Sequence, residues 1–347
     1  MRNDRSAGKV TLADVGRVAN VSAITVSRAL RKPEMVSPEL RQRIQEVVAE
    51  LGYVPDPVAR ALASDRTDVI GVLIPSVTNS VFADVLRGIY ACVEGTPFSV
   101  QFGNTRYSVL EEERLLRVFL SQRPAGLIVS GIDQSETSRA LLTQARCPVV
   151  QIMEMGPAPV DMMVGFSHFD AAYDATRHLI AGGYRRIAFI GARMDPRTQR
   201  RLDGYAAAVK EAGLFDEGLL ITTPRASTVE LGCQLLSDLL ARTQDVDAIF
   251  CNNDDLALGV LFECQRRRIA VPDEIGLCGF NDLEMMAVAN PPVTSVRTFR
   301  QEMGRRAVEM VLARVAGKDV PQPVVDLGFE LMPRQSTRGQ ERMRRVP

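Results

Sequence analysis

The 347-residue chain has no tryptophan and only two histidines, His168 and His178. A zinc centre built on histidine is therefore disfavoured. None of the six cysteines (Cys92, Cys147, Cys233, Cys251, Cys264, Cys278) forms a CxxC pair, and most lie inside apolar strand-like or helix-like runs. Reduced, packed thiols are expected, with neither disulfides nor bound metal. No apolar run approaches the roughly 18 residues of a membrane-spanning helix. The charged start, Met1 to Arg5, leads into no apolar signal segment, so the cytoplasm is the expected address. Neither sign of charge is in excess: 42 Lys and Arg face 42 Asp and Glu. Attraction to a polyanion must then be local. Catalytic strings are missing too. No GxGxxG follows the first strand-like run, and neither a Walker sequence nor a GxSxG elbow occurs. An enzyme is not expected, and no cofactor.

The charge that is present is unevenly spread. Residues 1–66 are net +3 and residues 334–347 net +4, which leaves the middle at −7. A basic head on an acidic body suggests that the head has a partner of its own. The head reads as short helices. Thr11 can cap a first helix, with Asp14 at the reciprocal position and Leu12, Val15, Val18 and Ala19 on one face. Asn20-Val21-Ser22 breaks the run, and Ser22 caps a second helix, Ala23 to Leu30. Ser37-Pro38 starts a third, which Gly52 closes. A short fourth helix follows, with Asp56 as cap, Pro57 at its first turn and Val58 to Ala63 as its body. It is too short to persist alone in water, and so is expected to be a hinge that folds when something receives it.

From Asp68 strand-like and helix-like runs alternate, as in a parallel sheet with helical crossovers. The rhythm restarts after Pro157-Ala158-Pro159, which argues for two similar α/β lobes. The final stretch adds Val293–Val296, a helix over 301–316 and one last strand, Val324–Leu331. A cleft between the lobes, at the carboxyl ends of the strands, is the natural ligand site. The expected divisions are a helix-turn-helix head at 1–54, a hinge and linker at 55–67, an effector and dimerisation body at 68–333, and a disordered basic tail at 334–347. The tail carries no apolar heptads, which argues against a leucine-zipper tetramer.

Two short helices joined by a three-residue turn can place the second in a major groove of DNA. Ala23 and Ile24, at its amino end, suit thymine methyl groups. Arg28, about a turn further on, can give two donors to guanine. Ser22, Thr25, Ser27 and Tyr53 are short or planar donors suited to phosphates. The generic pattern fits equally a surface helical bundle in which Arg28 is merely solvated. The string from Val10 to Ala63 says more. It contains "TVSRAL" and "LGYVP" and closely resembles the head of the lactose/galactose repressor family of bacterial transcription factors. The two-lobed body is similar to that family's periplasmic-binding-protein-like core, so the resemblance spans essentially the whole chain.

That resemblance implies a homodimeric repressor on a palindromic operator, nucleoid-associated when bound. Thr11 and the second-helix residues would face DNA. Leu62 of the hinge helix, supported by Ala59, would enter the minor groove. Asp56 stands where most relatives carry asparagine. In the body, the family's sugar-contacting arginine falls on Arg201, its cleft aspartate on Asp254, and its second-lobe acidic or amide residue on Asn281. Phe82 matches a first-lobe aromatic. Ser76, in the polar string after the first strand, together with Glu154 and Arg197, completes the expected effector set. The strings "VGFSHFDAA", "FIGARMDPRTQRRLDGY" and "FCNNDDLALGVLFECQRR" are most similar to repressors of gluconate utilisation. This implies a sugar-acid effector: gluconate, with 2-ketogluconate as the alternative. Asn281 in place of aspartate removes a negative charge beside such an anion. A ligand acting as corepressor, a transport protein and an enzyme are the other readings.

Overall fold

The computed structural model describes residues 10–31, 35–54, 66–243 and 245–337. The chain divides into two units, 1–67 and 68–347. The expected fourth helix, with Asp56, Ala59 and Leu62, lies outside the described residues, as do those beyond 337.

The first unit is a three-helix head. Thr11 Oγ1 accepts the Asp14 amide, and the Asp14 carboxylate accepts the Thr11 amide at 3.0 Å. This reciprocal cap starts α1 (Leu12–Val18). Ser22 Oγ accepts the Thr25 amide at 3.1 Å at the start of α2 (Ala23–Arg31). Ser37, with Pro38 behind it, starts α3 (Pro38–Glu50). Val15, Ala19, Val26, Ala29, Ile44, Val47 and Tyr53 are the core. Val18 departs from expectation. It is 51% exposed, because it lies off the stripe that Leu12, Val15 and Ala19 define.

The second unit holds two six-stranded sheets. Lobe one runs β1 (Val69–Ile74), α4 (Ser80–Val93), β2 (Ser99–Asn104), α5 (Val109–Ser121), β3 (Gly126–Ser130), α6 (Glu136–Thr143), β4 (Val149–Ile152) and β5 (Met162–Gly165). Lobe two runs α7 (His168–Ala181), β6 (Ile187–Ala192), α8 (Pro196–Glu211), β7 (Leu220–Thr223), α9 (Val229–Arg242), β8 (Ala248–Cys251), α10 (Asp254–Arg267), β9 (Gly276–Asn281), α11 (Glu284–Val288) and β10 (Thr294–Thr298). The chain then returns to lobe one as α12 (Arg300–Val315) and β11 (Val324–Asp326), and crosses again to lobe two as β12 (Phe329–Met332). The strand orders are β11-β5-β4-β3-β1-β2 and β12-β10-β9-β8-β6-β7. All neighbours are parallel except β10 and β12. Unbroken apolar runs such as Val69–Ile74 suit strands covered by helices on both faces.

Three expectations are corrected here. The tail expected to be disordered from residue 334 starts in order: Gln335–Thr337 is a short 3-10 helix, and Ser336 is buried, its hydroxyl donating to the Leu277 carbonyl at 2.6 Å. The single last strand, Val324–Leu331, is two strands in different sheets. Gly328, at φ +64°, turns the chain between them, a backbone state that glycine adopts without steric cost. The run Met162–Gly165 is a strand that the sequence reading passed over, being only four residues long and lying just after a proline-rich stretch.

Helix α8, which carries Arg197 and Arg201, lies close against α7. A Cβ at Gly204 would come 2.2 Å from the backbone oxygen of Phe169. Gly204→Ala is therefore expected to destabilise the body by about 1–3 kcal/mol through overpacking, read as a lower urea midpoint with the slope unchanged. An unchanged midpoint would mean that the two helices part freely.

Candidate functional site

In the head, the outward side of α2 carries Ile24, 71% exposed, beside the exposed Ser22 and Arg28 and the half-buried Ala23, Thr25 and Ser27. An apolar side chain held out in water, one turn from an exposed guanidinium, suits a helix that meets a methyl group and a hydrogen-bonding edge together. Ser22 and Thr25 share a hydroxyl–hydroxyl bond of 2.8 Å. The Thr11 hydroxyl donates to Asp14 at 2.6 Å. Tyr53 is packed in the core of the head rather than on its surface, so little more than one edge of it is open to a partner.

In the body, a cavity lies between the lobes. Lobe one contributes Asn79, Val81, Phe82, Tyr107 and Met153. Lobe two contributes the end of β6 and the start of α8 (Ala192, Arg193, Asp195, Arg197, Thr198, Arg201), Ser227, the Asn252-Asn253 pair after β8, and Asn281 at the end of β9. Three arginines thus face one carboxylate. Asp195 caps α8 by accepting the Thr198 amide at 2.9 Å, and it stands 3.4 Å from Arg197.

Arg201 is the deepest of these cations, only 7% exposed. Its guanidinium lies 3.8 Å over the Phe280 ring. Its Nε donates to His168 Nδ1 at 3.1 Å, and Nη1 donates to the Asn252 carbonyl. Burial brings its pKa down to about 10, against the pull of Asp195, so it remains charged at neutral pH. No described residue accepts from Nη2. The amide of Asn281 also has no partner among the described residues, and φ at this residue is +110°. Asn252 is committed. Its side chain donates to the Ala192 carbonyl at 3.2 Å and to Thr198 Oγ1 at 3.0 Å, and it accepts the Ala192 amide. Asn253 caps α10 and donates to Ser227 Oγ at 2.7 Å.

The lobes are tied at the cavity mouth. Arg200 makes a forked pair with Asp133 at 2.9 and 2.6 Å. Arg197 donates to Ser130 Oγ at 3.2 Å, and Arg193 lies 3.9 Å over the Tyr107 ring.

Of the expected effector residues, Phe82, Arg197, Arg201 and Asn281 line this cavity. Three stand elsewhere. Asp254 is fully buried behind the wall, accepting from Ser295 Oγ and the Leu283 amide, each at 2.7 Å. Burial raises its carboxyl to about 7 despite these donors. Asn253 takes the cap position, which turns Asp254 inward onto β10. Glu154 is buried beside Met155 and Arg200, with its pKa raised by burial. Ser76 Oγ accepts the Asn79 amide at 3.2 Å and so shapes the loop that presents Asn79 and Phe82. The sequence reading passed over Asn79, Tyr107, Arg193, Asp195, Thr198, Ser227 and Asn253. Asn79 and Asn253, within the polar strings that end β1 and β8, and Thr198, within the stretch Arg197 to Arg201, carried a visible signal.

Comparisons with known proteins converge on this arrangement. Residues 11–56 match the model "Bacterial regulatory proteins, lacI family", and residues 176–337 match "Periplasmic binding protein-like domain". The HTH-type transcriptional regulator GntR of Pseudomonas aeruginosa is 44% identical over 97% of this chain and 98% of its own. A LacI-family transcriptional regulator from Silicibacter pomeroyi superposes with TM-score 0.88 at 35% identity, over 94% of this chain and 99% of its own. Transcription regulator GntR from Chromobacterium violaceum superposes with TM-score 0.76 at 40% identity, over 78% and 100% respectively.

Proposed function

Because the chain belongs to the lacI family of bacterial regulatory proteins, we propose that it represses transcription as a dimer on a palindromic operator and is released by a sugar acid, gluconate or its 2-keto relative. That it is a DNA-binding transcriptional regulator follows from the family itself. The observation that supports the sugar-acid reading is the balance of the cleft. Arg193, Arg197 and Arg201 meet one carboxylate, Asp195, and the amides of Asn79, Asn253 and Asn281 surround them. A polyol needs paired donors and acceptors, and a carboxylate needs a surplus of fixed positive charge. With Asp254 turned away and Asn281 neutral, Asp195 is the one carboxylate among the described lining residues.

Both α2 and the cleft have roles in this reading. Ala23, Ile24 and Arg28 read bases, and Thr11, Ser22, Thr25, Ser27 and Tyr53 set the register. The hinge residues Ala59 and Leu62 enter the minor groove. The effector joins the arginine-rich face of lobe two to Asn79 and Phe82 of lobe one. The lobes reorient about their crossovers, and the paired heads lose operator spacing. Such coupling is reciprocal: operator must weaken effector binding by the factor with which effector weakens operator binding.

A thermal melt against a panel of sugars tests the ligand. Gluconate at a hundredfold excess over its dissociation constant is expected to add about 2.7 kcal/mol of stability. Neutral hexoses and purines are expected to leave the melt unmoved. A neutral sugar that stabilises more than gluconate or 2-ketogluconate would overturn the sugar-acid reading.

A further inference from the structure

Arg201 depends on a group outside the cavity lining. His168 opens α7, just past the first crossover between the lobes, and is completely buried. Arginine Nε–H can only donate, so His168 Nδ1 must accept and carries no proton. The proton then sits on Nε2, which donates to the Met153 carbonyl at 2.8 Å. A carbonyl can only accept, so both contacts demand the same tautomer. Met153 directly follows β4 of lobe one, at φ +78°, and itself lines the cavity. Phe166 flanks the ring at 4.3 Å, and Phe280 lies beneath both the imidazole and the Arg201 guanidinium. Burial, reinforced by the Arg201 charge, holds the imidazole well below its ordinary pKa.

We propose that His168 is a positioning residue for effector binding: as the Nε2–H tautomer it takes its bearing from the Met153 carbonyl of lobe one and, through Nδ1, fixes the guanidinium of Arg201 so that Nη2 faces the effector. The inference rests on the sugar-acid reading above. It adds that the orientation of the site's deepest cation, on lobe two, is set by a backbone atom of lobe one. Arg201 has three nitrogens, and two are consumed before any ligand arrives. Without the acceptor at Nδ1 the guanidinium can turn about its last bonds and offer Nη2 elsewhere.

Two substitutions separate the halves of the ring. In His168→Asn the amide oxygen stands near the place of Nδ1 and can still accept from Arg201. In His168→Gln the amide nitrogen stands near the place of Nε2 and keeps the Met153 contact, but the acceptor is lost. Calorimetric titration of gluconate into the full-length protein is expected to show His168→Asn within about threefold of wild type. His168→Gln is expected to be weaker by roughly 10–100-fold. Equal losses in the two variants, or the reverse order, would overturn the proposal. Wild type titrated in the same series separates the two levels. No heat with gluconate or 2-ketogluconate would bring down the sugar-acid reading and this inference with it. Binding by wild type with indifferent variants would bring down this inference alone.

Should His168→Gln fail to fold, the wild-type protein still decides. The chain has only two histidines, so nitrogen-15 labelling of histidine gives two assignable rings. His168 is expected as a neutral Nε2–H ring through the neutral pH range, with its Nδ1 resonance moving when gluconate is added. A protonated Nδ1, or an Nδ1 resonance indifferent to gluconate, would overturn the proposal.

Discussion

Arg201→Ala is expected to weaken gluconate binding by roughly 100–1,000-fold, the cost of about 3–4 kcal/mol typical of losing one partner of a buried charged contact. The loss has two parts. The effector carboxylate or a hydroxyl loses Nη2, and the Asn252 carbonyl and His168 Nδ1 lose their donors. Arg201→Lys should recover little. A single ammonium cannot serve His168, Asn252 and a ligand at once, and it cannot spread flat over Phe280. Operator binding in the absence of effector should survive both changes. Calorimetry with gluconate, paired with a fluorescence-anisotropy titration of operator, reads the two functions separately. An alanine variant that binds gluconate within tenfold of wild type would show that the ligand is gripped elsewhere.

Arg28→Ala is the opposite case. The side chain is exposed on α2, one turn past Ile24. Removing it should leave the gluconate titration unchanged. It should cost about 1–3 kcal/mol of discrimination at one base pair in each half-site. The dependence of affinity on salt separates this role from phosphate contact. A base-reading arginine relaxes preference at one position, whereas a phosphate-bound one weakens all sequences alike and lowers the salt slope by about one. A selection from randomised operators, run for wild type and variant, reports which of the two occurs. Uniform weakening would move Arg28 from reading to anchoring.

How much of this was legible in the sequence follows from the range of the interactions. The caps at Thr11, Ser22 and Ser37 were readable because a side-chain oxygen and the amide it accepts lie three residues apart. The alternation of buried strands with helices was readable for the same reason, since its period is local. The cavity was not. Tyr107, Asn79 and Arg193 come from three separate loops and meet only because two sheets present their strand ends to one space. Asp254 shows the limit most clearly. The resemblance implied a cleft role for this carboxylate next to asparagine at a strand end, yet one step along the helix start separates the cavity from the interior. Ser295, which claims it, lies on another strand. Arg201 was located by resemblance. Its dependence on His168 became visible only with the fold.

The path of the chain bears on how the molecule is made. Lobe one begins at β1 but is finished by α12 and β11, more than 130 residues after the chain has left it at β5. Lobe two is completed only by β12. A ribosome extending at about 5–20 residues per second therefore releases the head early and holds first one, then two incomplete sheets open until the last strands emerge. Premature termination within lobe two and before residue 300 yields a completed three-helix head attached to two unfinished halves. Nonsense lesions late in the gene should thus be as damaging to the first-made lobe as to the last.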